Sequence, residues 1–244
     1  MKSDKLVVGN MKMNLLASDV SLYLKEFHFD EQQDQVVICP STIYIPYFLK
    51  QPYKVGIQNL FFRDKGAYTG EISVSQAASL GIDYAIIGHS ERRIYFRESD
   101  QDINKKIISA LKYGFHIILC IGETAEEKGL LKTARVLKRQ LLNDLRNVEK
   151  EFFSQIIIAY EPVWAIGNDV TPTMVEIEET VQYIKGIILQ YFGYEDIKVL
   201  YGGSVNSKNI EELNQIPNVS GFLVGGASIN AEEFLKIIEV AVKK

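Results

Sequence analysis

Three chargeable side chains stand just after apolar runs of the sequence, where buried strands would end. Glu161 follows IIIAY, His89 follows YAIIG, and Lys12 comes shortly after LVV. An acid, an imidazole and an amine can together remove a proton from carbon, move protons on oxygen and stabilise an anion. Each residue alone is more often structural, because a single histidine after a strand is usually a hydrogen-bonded core residue. Their convergence on one rim of a sheet would indicate a catalytic site.

Two Gly-Gly pairs form a second group, YGGS at 201–204 and VGGA at 224–227. Glycine lets backbone N–H groups approach an anion without a Cβ atom in the way, and a following helix adds its positive end. One such pair is usually only a tight turn. Two pairs after successive apolar runs predict a site for a phosphorylated small molecule.

The elements that must position these groups are eight short apolar runs, typical of parallel strands buried on both faces. The runs cover residues 6–8, 36–39, 55–57, 84–87, 117–121, 156–159, 197–200 and 222–224. Helical patterns lie between them, at 20–27, 43–50, 102–113, 125–153 and 175–191. Thr171 and Pro172 predict the start of the last of these helices. Gly81, Gly114 and Gly193 follow helical patterns, where a left-handed residue often ends the helix.

Strand–helix repetition over 244 residues fits two α/β architectures, a doubly wound open sheet or a closed (β/α)8 barrel of ~250 residues. We favour a single (β/α)8 barrel domain over residues 1–244, because all eight runs look equally buried and an open sheet has two edge strands. In a barrel, active sites lie at the carboxyl ends of the strands, and phosphate often binds after strands seven and eight. Both polar groups above fit that placement.

Composition narrows the class of protein and of partner. The formal net charge of −4 argues against a nucleic-acid partner, which usually calls for a basic face, but leaves an anionic small ligand open. Cys39 and Cys120 stand inside apolar runs, which favours buried free thiols and a reducing, cytoplasmic location. No apolar run approaches the ~20 residues that span a bilayer, so we expect no membrane partner.

Seven motifs, in this order along the chain, resemble those of the triosephosphate isomerase family. They are GNMKMN (9–14), GAYTGEIS (66–73), IGHSERR (87–93), CIGET (120–124), AYEPVWAIG (159–167), YGGSV (201–205) and GFLVGGAS (221–228). The family is a (β/α)8 barrel that interconverts dihydroxyacetone phosphate and glyceraldehyde 3-phosphate without a cofactor or metal. The resemblance therefore implies a triose phosphate substrate.

The resemblance implies a role for each residue that matches a family motif, and the family is itself the standard example of acid and base tuning by environment. Glu161 matches the base, His89 a neutral imidazole with a lowered pKa, and Lys12 the cation that stabilises the enediolate. Asn10 matches a further polar contact with substrate. Phosphate would be held by Gly167, Ser204, Gly225 and Gly226. Glu91 pairs with the lysine in this family, and Ser90 stands beside it.

The apolar loop after Glu161 resembles the family's lid, which closes over substrate and excludes water. Its residues would be Pro162, Val163, Trp164, Ala165, Ile166, Gly167, Asn168 and Asp169. Asn168 and Asp169 stand where the family usually has Thr-Gly.

The segment FFRDKGAYTGEIS (61–73) has aromatic residues that we expect to be exposed, and apolar patches of this kind usually mark an interface. By resemblance, its tip near Thr69 reaches into the partner of a homodimer. Two alternatives stay open at this point: another phosphate-binding barrel isomerase, or a barrel without catalytic activity.

Overall fold

The protein forms a closed barrel of eight parallel strands, seen in a computed structural model that describes residues 5–166 and 171–242. Each strand pairs with the next in sequence, and the eighth pairs with the first. The strands are β1 (Leu6–Asn10), β2 (Gln33–Cys39), β3 (Tyr53–Ile57), β4 (Tyr84–Ile87), β5 (His116–Ile121), β6 (Ile156–Tyr160), β7 (Lys198–Tyr201) and β8 (Gly221–Val224). The prediction of a (β/α)8 barrel is confirmed, and the open-sheet alternative is wrong.

Helices follow the strands around the barrel. They are α1 (Ala17–Glu26), α2 (Ile45–Phe48), α3 (Val74–Ser79), α4 (Ser90–Tyr95), α5 (Asp100–Leu111), α6 (Ala125–Gly129), α7 (Thr133–Asp144), α8 (Met174–Phe192), α9 (Ile210–Leu213) and α10 (Ala231–Val242). Short 3₁₀ turns occupy Thr42–Tyr44, Lys150–Gln155, Val163–Ala165 and Gly226–Ile229. Within the described ranges, no helix is long and apolar enough to cross a membrane.

Alternate residues of each strand face two different cores, which explains why the strands read as unbroken apolar runs. In β5, Ile118 and Cys120 point into the barrel, whereas Ile117 and Leu119 pack against the outer helices. Both cysteines are free thiols inside the barrel, as expected. The barrel interior is therefore a packed core, and chemistry is confined to its rim.

Two of the helix predictions need correction. The pattern at 125–153 is not one helix, because Leu131 and Asn147 have positive φ angles of 55° and 59°, which a right-handed helix cannot continue through. The helix predicted to start at Thr171-Pro172 instead begins at Met174 and is capped by Thr173, whose hydroxyl accepts from the Glu176 N–H. The Glu176 carboxylate in turn accepts from the Thr173 N–H, and this reciprocal capping box fixes the start of the helix.

Candidate active site

Glu161 lies immediately beyond the end of β6, at the carboxyl rim of the barrel. Its N–H donates to the Ile121 carbonyl at 2.8 Å, which extends the β5–β6 pairing by one step. Two glycines make room for it: a Cβ on Gly122 would lie 1.7 Å from the Glu161 carbonyl oxygen, and one on Gly202 would lie 3.0 Å from Glu161 Cγ. The side chain is thus delivered to a buried position, 2% exposed, by the sheet itself.

The Glu161 carboxylate contacts His89, which lies just beyond the end of β4. His89 Nε2 lies 2.9 Å from Glu161 Oε1, and the backbone N–H of Ser90 donates to Oε2 at 3.1 Å. Because His89 caps α4 and Ser90 is the first residue of that helix, one turn of chain supplies both partners. Two residues far apart in sequence therefore form one buried acid–imidazole pair.

The surroundings shift the pKa of both members of this pair. Burial raises the pKa of Glu161, but His89, the Ser90 N–H and Lys12 outweigh that effect, and the pKa lies below its ordinary value. Burial lowers the pKa of His89, but the Glu161 carboxylate outweighs it, and the pKa lies above its ordinary value. The expectation of a lowered pKa for His89 is wrong for this arrangement, because the sequence did not reveal that Glu161 would be its partner.

Hydrogen bonding still identifies the neutral tautomer of His89 here. The Glu91 N–H donates to His89 Nδ1 at 3.3 Å, so Nδ1 carries no proton. The single ring proton then lies on Nε2, which donates to Glu161 Oε1. The imidazole therefore directs its N–H donor at Glu161, in the cavity that both residues line.

Lys12 follows Asn10 on the loop after β1. Its backbone has a positive φ of 53°, and its N–H donates to Asn10 Oδ1 at 3.1 Å. The ammonium is 2.7 Å from Glu91 Oε1, which is the pairing that the resemblance implied. Asn10 itself is buried. A strained backbone held by a side chain fixes the direction in which this cation points.

The amide of Gln58, directly after β3, supports the Lys12 loop, and the sequence alone assigned it no role. Gln58 Nε2 donates to the carbonyl of Lys12 at 2.8 Å and to the carbonyl of Cys39 at 3.0 Å. It thereby ties the Lys12 loop to the ends of β2 and β3. A polar residue directly after a strand was the only sequence signal for it.

Arg93 is a second support that the sequence analysis did not single out. Its guanidinium donates to the carbonyl oxygens of Gly88 at 2.8 Å and Cys120 at 3.1 Å, and pairs with the fully buried Asp144 at 2.6 Å. These contacts hold the turn that carries His89 against β5. Burial raises the pKa of the Cys120 thiol, and the charge of the neighbouring Glu161 carboxylate adds to that effect.

Glu161, His89, Lys12 and Asn10 line one cavity of about 340 Å³ together with the glycine-rich turns. These turns contribute Gly202, Gly203, Ser204, Gly225 and Gly226 to its lining. Asn209 holds the first turn by donating to the Ser204 carbonyl at 2.9 Å. In the second turn, Gly225 approaches Lys12 closely, since a Cβ there would lie 3.4 Å from Lys12 Cε. The predicted catalytic and phosphate-binding groups thus share one cavity.

The segment after Glu161 is anchored on the loop that follows the preceding strand, β5. Trp164 Nε1 donates to Glu123 Oε1 at 2.8 Å, and the Val163 N–H donates to the Glu123 carbonyl at 3.1 Å. Glu123 is fully buried and also accepts from the Tyr160 hydroxyl. Pro162 and Ala165 are buried, and Ile166 lines the cavity. The predicted lid residues Gly167, Asn168 and Asp169 lie outside the described residues.

Thr69 lies on the exposed loop between β3 and α3. The loop closes on itself, because the Phe61 N–H donates to the Ile72 carbonyl at 2.8 Å and the rings of Phe61 and Tyr68 lie 4.7 Å apart. A second cavity, of about 390 Å³, also has Lys12 in its lining. It is rimmed by strongly exposed apolar side chains such as Met13 and Phe96.

Across the described part of the chain, no group of three or more His, Cys, Asp or Glu side chains is placed to hold a metal ion.

Comparison with known proteins gives a consistent result. The family model described as triosephosphate isomerase matches residues 5–241. The chain is 39% identical over 242 residues to a triosephosphate isomerase of Alkaliphilus oremlandii, covering 96% of this chain and 98% of the relative. It is 40% identical to one of Chloroherpeton thalassium, covering 97% and 98%, and 39% identical to one of Natranaerobius thermophilus, covering 97% and 95%. The chain belongs to the triosephosphate isomerase family.

Proposed function

We propose that this protein interconverts dihydroxyacetone phosphate and D-glyceraldehyde 3-phosphate by general acid and base catalysis, with no cofactor. The observation that carries the proposal is the cavity in which Glu161, His89 and Lys12 face the glycine-rich turns. The cavity brings an ionised acid, an imidazole donor and a cation together with backbone groups suited to a phosphate. A three-carbon sugar phosphate would contact both sets of groups.

Glu161 is the base in this proposal. It takes the proton from the carbon next to the carbonyl group, which leaves an enediolate, and returns it to the neighbouring carbon. The lowered pKa of Glu161 keeps the carboxylate ionised and ready at neutral pH. To act, the carboxylate gives up its bond to His89, and the substrate carbon takes that place.

His89 then donates from Nε2 to the two substrate oxygens. With Glu161 displaced from Nε2, the influence that raises the His89 pKa weakens, while burial and the Glu91 N–H still favour the neutral ring. The Lys12 ammonium stabilises the negative charge of the enediolate at low dielectric, and Asn10 adds a polar contact. Glu91 and Gln58 hold Lys12 for this role, and Ser90 holds the resting position of Glu161.

Phosphate is bound by backbone donors of Ser204, Gly225 and Gly226, joined by Gly167. Gly225 and Gly226 have no side chain between their N–H groups and the cavity, and the 3₁₀ turn Gly226–Ile229 begins at this wall. The segment 162–169 acts as the lid, with Trp164 on Glu123 as the anchor of its first end. Closure excludes water and protects the enediolate.

We further propose a homodimer in the cytoplasm. Met13 is 93% exposed and Phe96 is 68% exposed, both in the lining of the second cavity, and exposed apolar side chains grouped at a cavity are typical of an interface. The loop with Thr69 from a second copy would fill this cavity next to Lys12. The cytoplasmic location is supported by two buried thiols that are not paired.

The test is an assay of the purified protein with D-glyceraldehyde 3-phosphate and a dehydrogenase that consumes dihydroxyacetone phosphate. Wild-type protein should turn over and Glu161→Gln should not, while both keep the same far-UV circular dichroism. Turnover of a different sugar phosphate only would favour another phosphate-binding isomerase. No turnover of any phosphorylated substrate would indicate a barrel without catalytic activity.

A further inference from the structure

Lys128 of α6 contacts two parts of the chain that flank the predicted lid. Its ammonium lies 5.0 Å from the centroid of the Trp164 ring, over the ring face. The same ammonium lies 2.9 Å from Oε1 of Glu176, in the first turn of α8. Lys128 thus links the segment that follows Glu161 to α8. Lys128 has no role in the proposed reaction.

The Trp164 end of this bridge is fixed to the strand ends. Trp164 donates to Glu123, and the Glu123 carboxylate is fully buried. An indole held at its edge by a hydrogen bond can still rock about that bond, and a cation over its face opposes such motion. Lys128 therefore supplies a contact to the ring face that helps to set the plane of the ring.

The Glu176 end is fixed by the cap of α8. Glu176 Oε2 accepts from the Thr173 N–H at 2.9 Å, and Oε1 accepts from Lys128. The Thr173 N–H and the Lys128 ammonium lower the pKa of Glu176 to about 2, so the carboxylate is ionised throughout the neutral range. Glu176 thus anchors the ammonium on a helix of 19 residues, which is a rigid support.

We propose that Lys128 is a positioning residue that braces the segment 162–166 against the start of α8. The segment carries Ile166, which lines the substrate cavity, and begins directly after Glu161. Lys128 does not line that cavity, so it acts through Trp164 rather than on substrate. Its effect on turnover rests on the proposed function, whereas its effect on Trp164 does not.

Loss of the brace should weaken substrate binding more than it slows the bound complex. Without Lys128, the segment samples arrangements in which Ile166 is displaced, and only a fraction of molecules is ready to bind. The apparent affinity falls by that fraction, while the reaction of a bound substrate is little changed. An exposed cation–π contact and a surface ion pair together make a rise in KM of about fivefold reasonable.

The experiment uses Trp164 as its own reporter, because it is the only tryptophan in the chain. Lys128→Met removes the charge and keeps much of the stem; Lys128→Arg keeps the charge. Lys236→Met is the matched control, since Lys236 forms a 2.7 Å ion pair with Glu232 on the exposed face of α10. Acrylamide quenching of Trp164 fluorescence is measured without substrate, and KM and kcat are measured in the coupled assay.

We expect Lys128→Met to raise the quenching constant of Trp164 and to raise KM about fivefold with kcat within twofold of wild type. Lys128→Arg should restore at least half of both changes, and Lys236→Met should show neither. Glu176→Gln should give part of the Lys128→Met effect and add nothing when the two are combined, because both break one bridge.

Unchanged quenching in Lys128→Met would overturn the brace. Increased quenching with unchanged KM would overturn its link to substrate binding, and a fall in kcat alone would do the same. If wild-type protein shows no isomerase activity, the proposed function fails, and the quenching comparison still decides whether Lys128 positions Trp164.

Discussion

His89 Nε2 and Glu161 Oε1 lie 2.9 Å apart, so the imidazole and the carboxylate are bonded to each other. In the proposed reaction each must bond to substrate instead. The pair gives a hydrogen-bond partner to Oε1 of the buried carboxylate and to Nε2 of the buried imidazole, and unpaired buried polar atoms are costly. It also keeps the carboxylate ionised in a buried place. In this arrangement each group therefore occupies the hydrogen-bonding position of the other. Substrate has to displace this contact before the two groups can act on it.

Glu161→Asp should keep the fold and lose about 100-fold in kcat, because the shorter side chain withdraws the carboxylate by ~1 Å and misplacement on this scale has that effect. Steady-state kinetics with D-glyceraldehyde 3-phosphate measure the loss. Glu126→Asp, the same change at an exposed acid of α6, is the control and should match wild type. Wild-type turnover of Glu161→Asp would exclude Glu161 as the base.

His89→Gln should raise the pKa of Glu161. In wild type, His89 and the Ser90 N–H hold that pKa below 4.5 against the opposite effect of burial, and without the imidazole burial gains weight. Infrared titration of protein with ¹³C-labelled glutamate follows the carboxylate, and Glu161→Gln identifies its band. Equal titration midpoints for Glu161 in wild type and His89→Gln would contradict the prediction.

The same shift has a consequence for stability. A carboxyl group whose pKa is lower in the folded state stabilises the fold above its unfolded pKa, and this contribution is lost as the pH falls through the folded value. Wild type should therefore lose the Glu161 contribution only below about pH 4.5. His89→Gln, with a higher folded pKa, should have less of it at every pH above that. Melting temperatures from pH 4 to pH 8 measure the difference.

The barrel could be predicted because its strands are buried on both faces, and such strands leave continuous apolar runs in the sequence. The rim could be predicted because a polar residue directly after such a run has only one place to lie. Helix boundaries were harder. The start of α8 depends on a reciprocal bond between Thr173 and Glu176, and the pair Thr171-Pro172 offered a competing signal of similar strength.

Contacts between distant parts of the chain could not be predicted from local pattern. Gln58 can support Lys12 because β1, β2 and β3 lie side by side in the barrel, which brings the loops after β1 and β3 close together. Arg93 reaches the buried Asp144 across the space between α4 and α7. The direction of the His89 pKa shift also depends on such a contact, because it is set by Glu161 rather than by the helix that His89 caps. Each error or omission concerns a partner that only the closed barrel brings near.

Thr69→Arg should separate the proposed dimer into monomers and sharply reduce turnover. In a twofold dimer the change enters both interfaces, and an unpaired buried charge costs about 3–5 kcal/mol at each. Light scattering at micromolar concentration measures the mass. Ser18→Arg, on the exposed face of α1, is the control and should remain a dimer. A fully active monomer of the wild-type protein would contradict the proposal.

Gly226→Ala should weaken phosphate binding without harming the fold. A Cβ at Gly226 has no heavy atom of the described chain within 4 Å, so the methyl group meets no protein neighbour, and Gly226 lines the cavity. There it would crowd the substrate phosphate, and crowding of this kind costs about 1–3 kcal/mol, which is roughly a 5- to 150-fold loss of affinity. KM for D-glyceraldehyde 3-phosphate should rise by a factor in this range.

Inorganic phosphate decides whether that rise concerns the phosphate itself. It should inhibit wild type competitively, and its inhibition constant should rise in Gly226→Ala by about the same factor as KM, because both ligands meet the same methyl group. Sodium chloride at equal ionic strength controls for screening. Gly186→Ala is the matched substitution, since its Cβ in α8 also meets nothing within 4 Å. It should raise the melting temperature slightly by removing a helical glycine and leave both constants unchanged. If KM rose in Gly226→Ala while the inhibition constant of phosphate stayed the same, the anion would bind elsewhere and the assignment of Gly226 would be wrong.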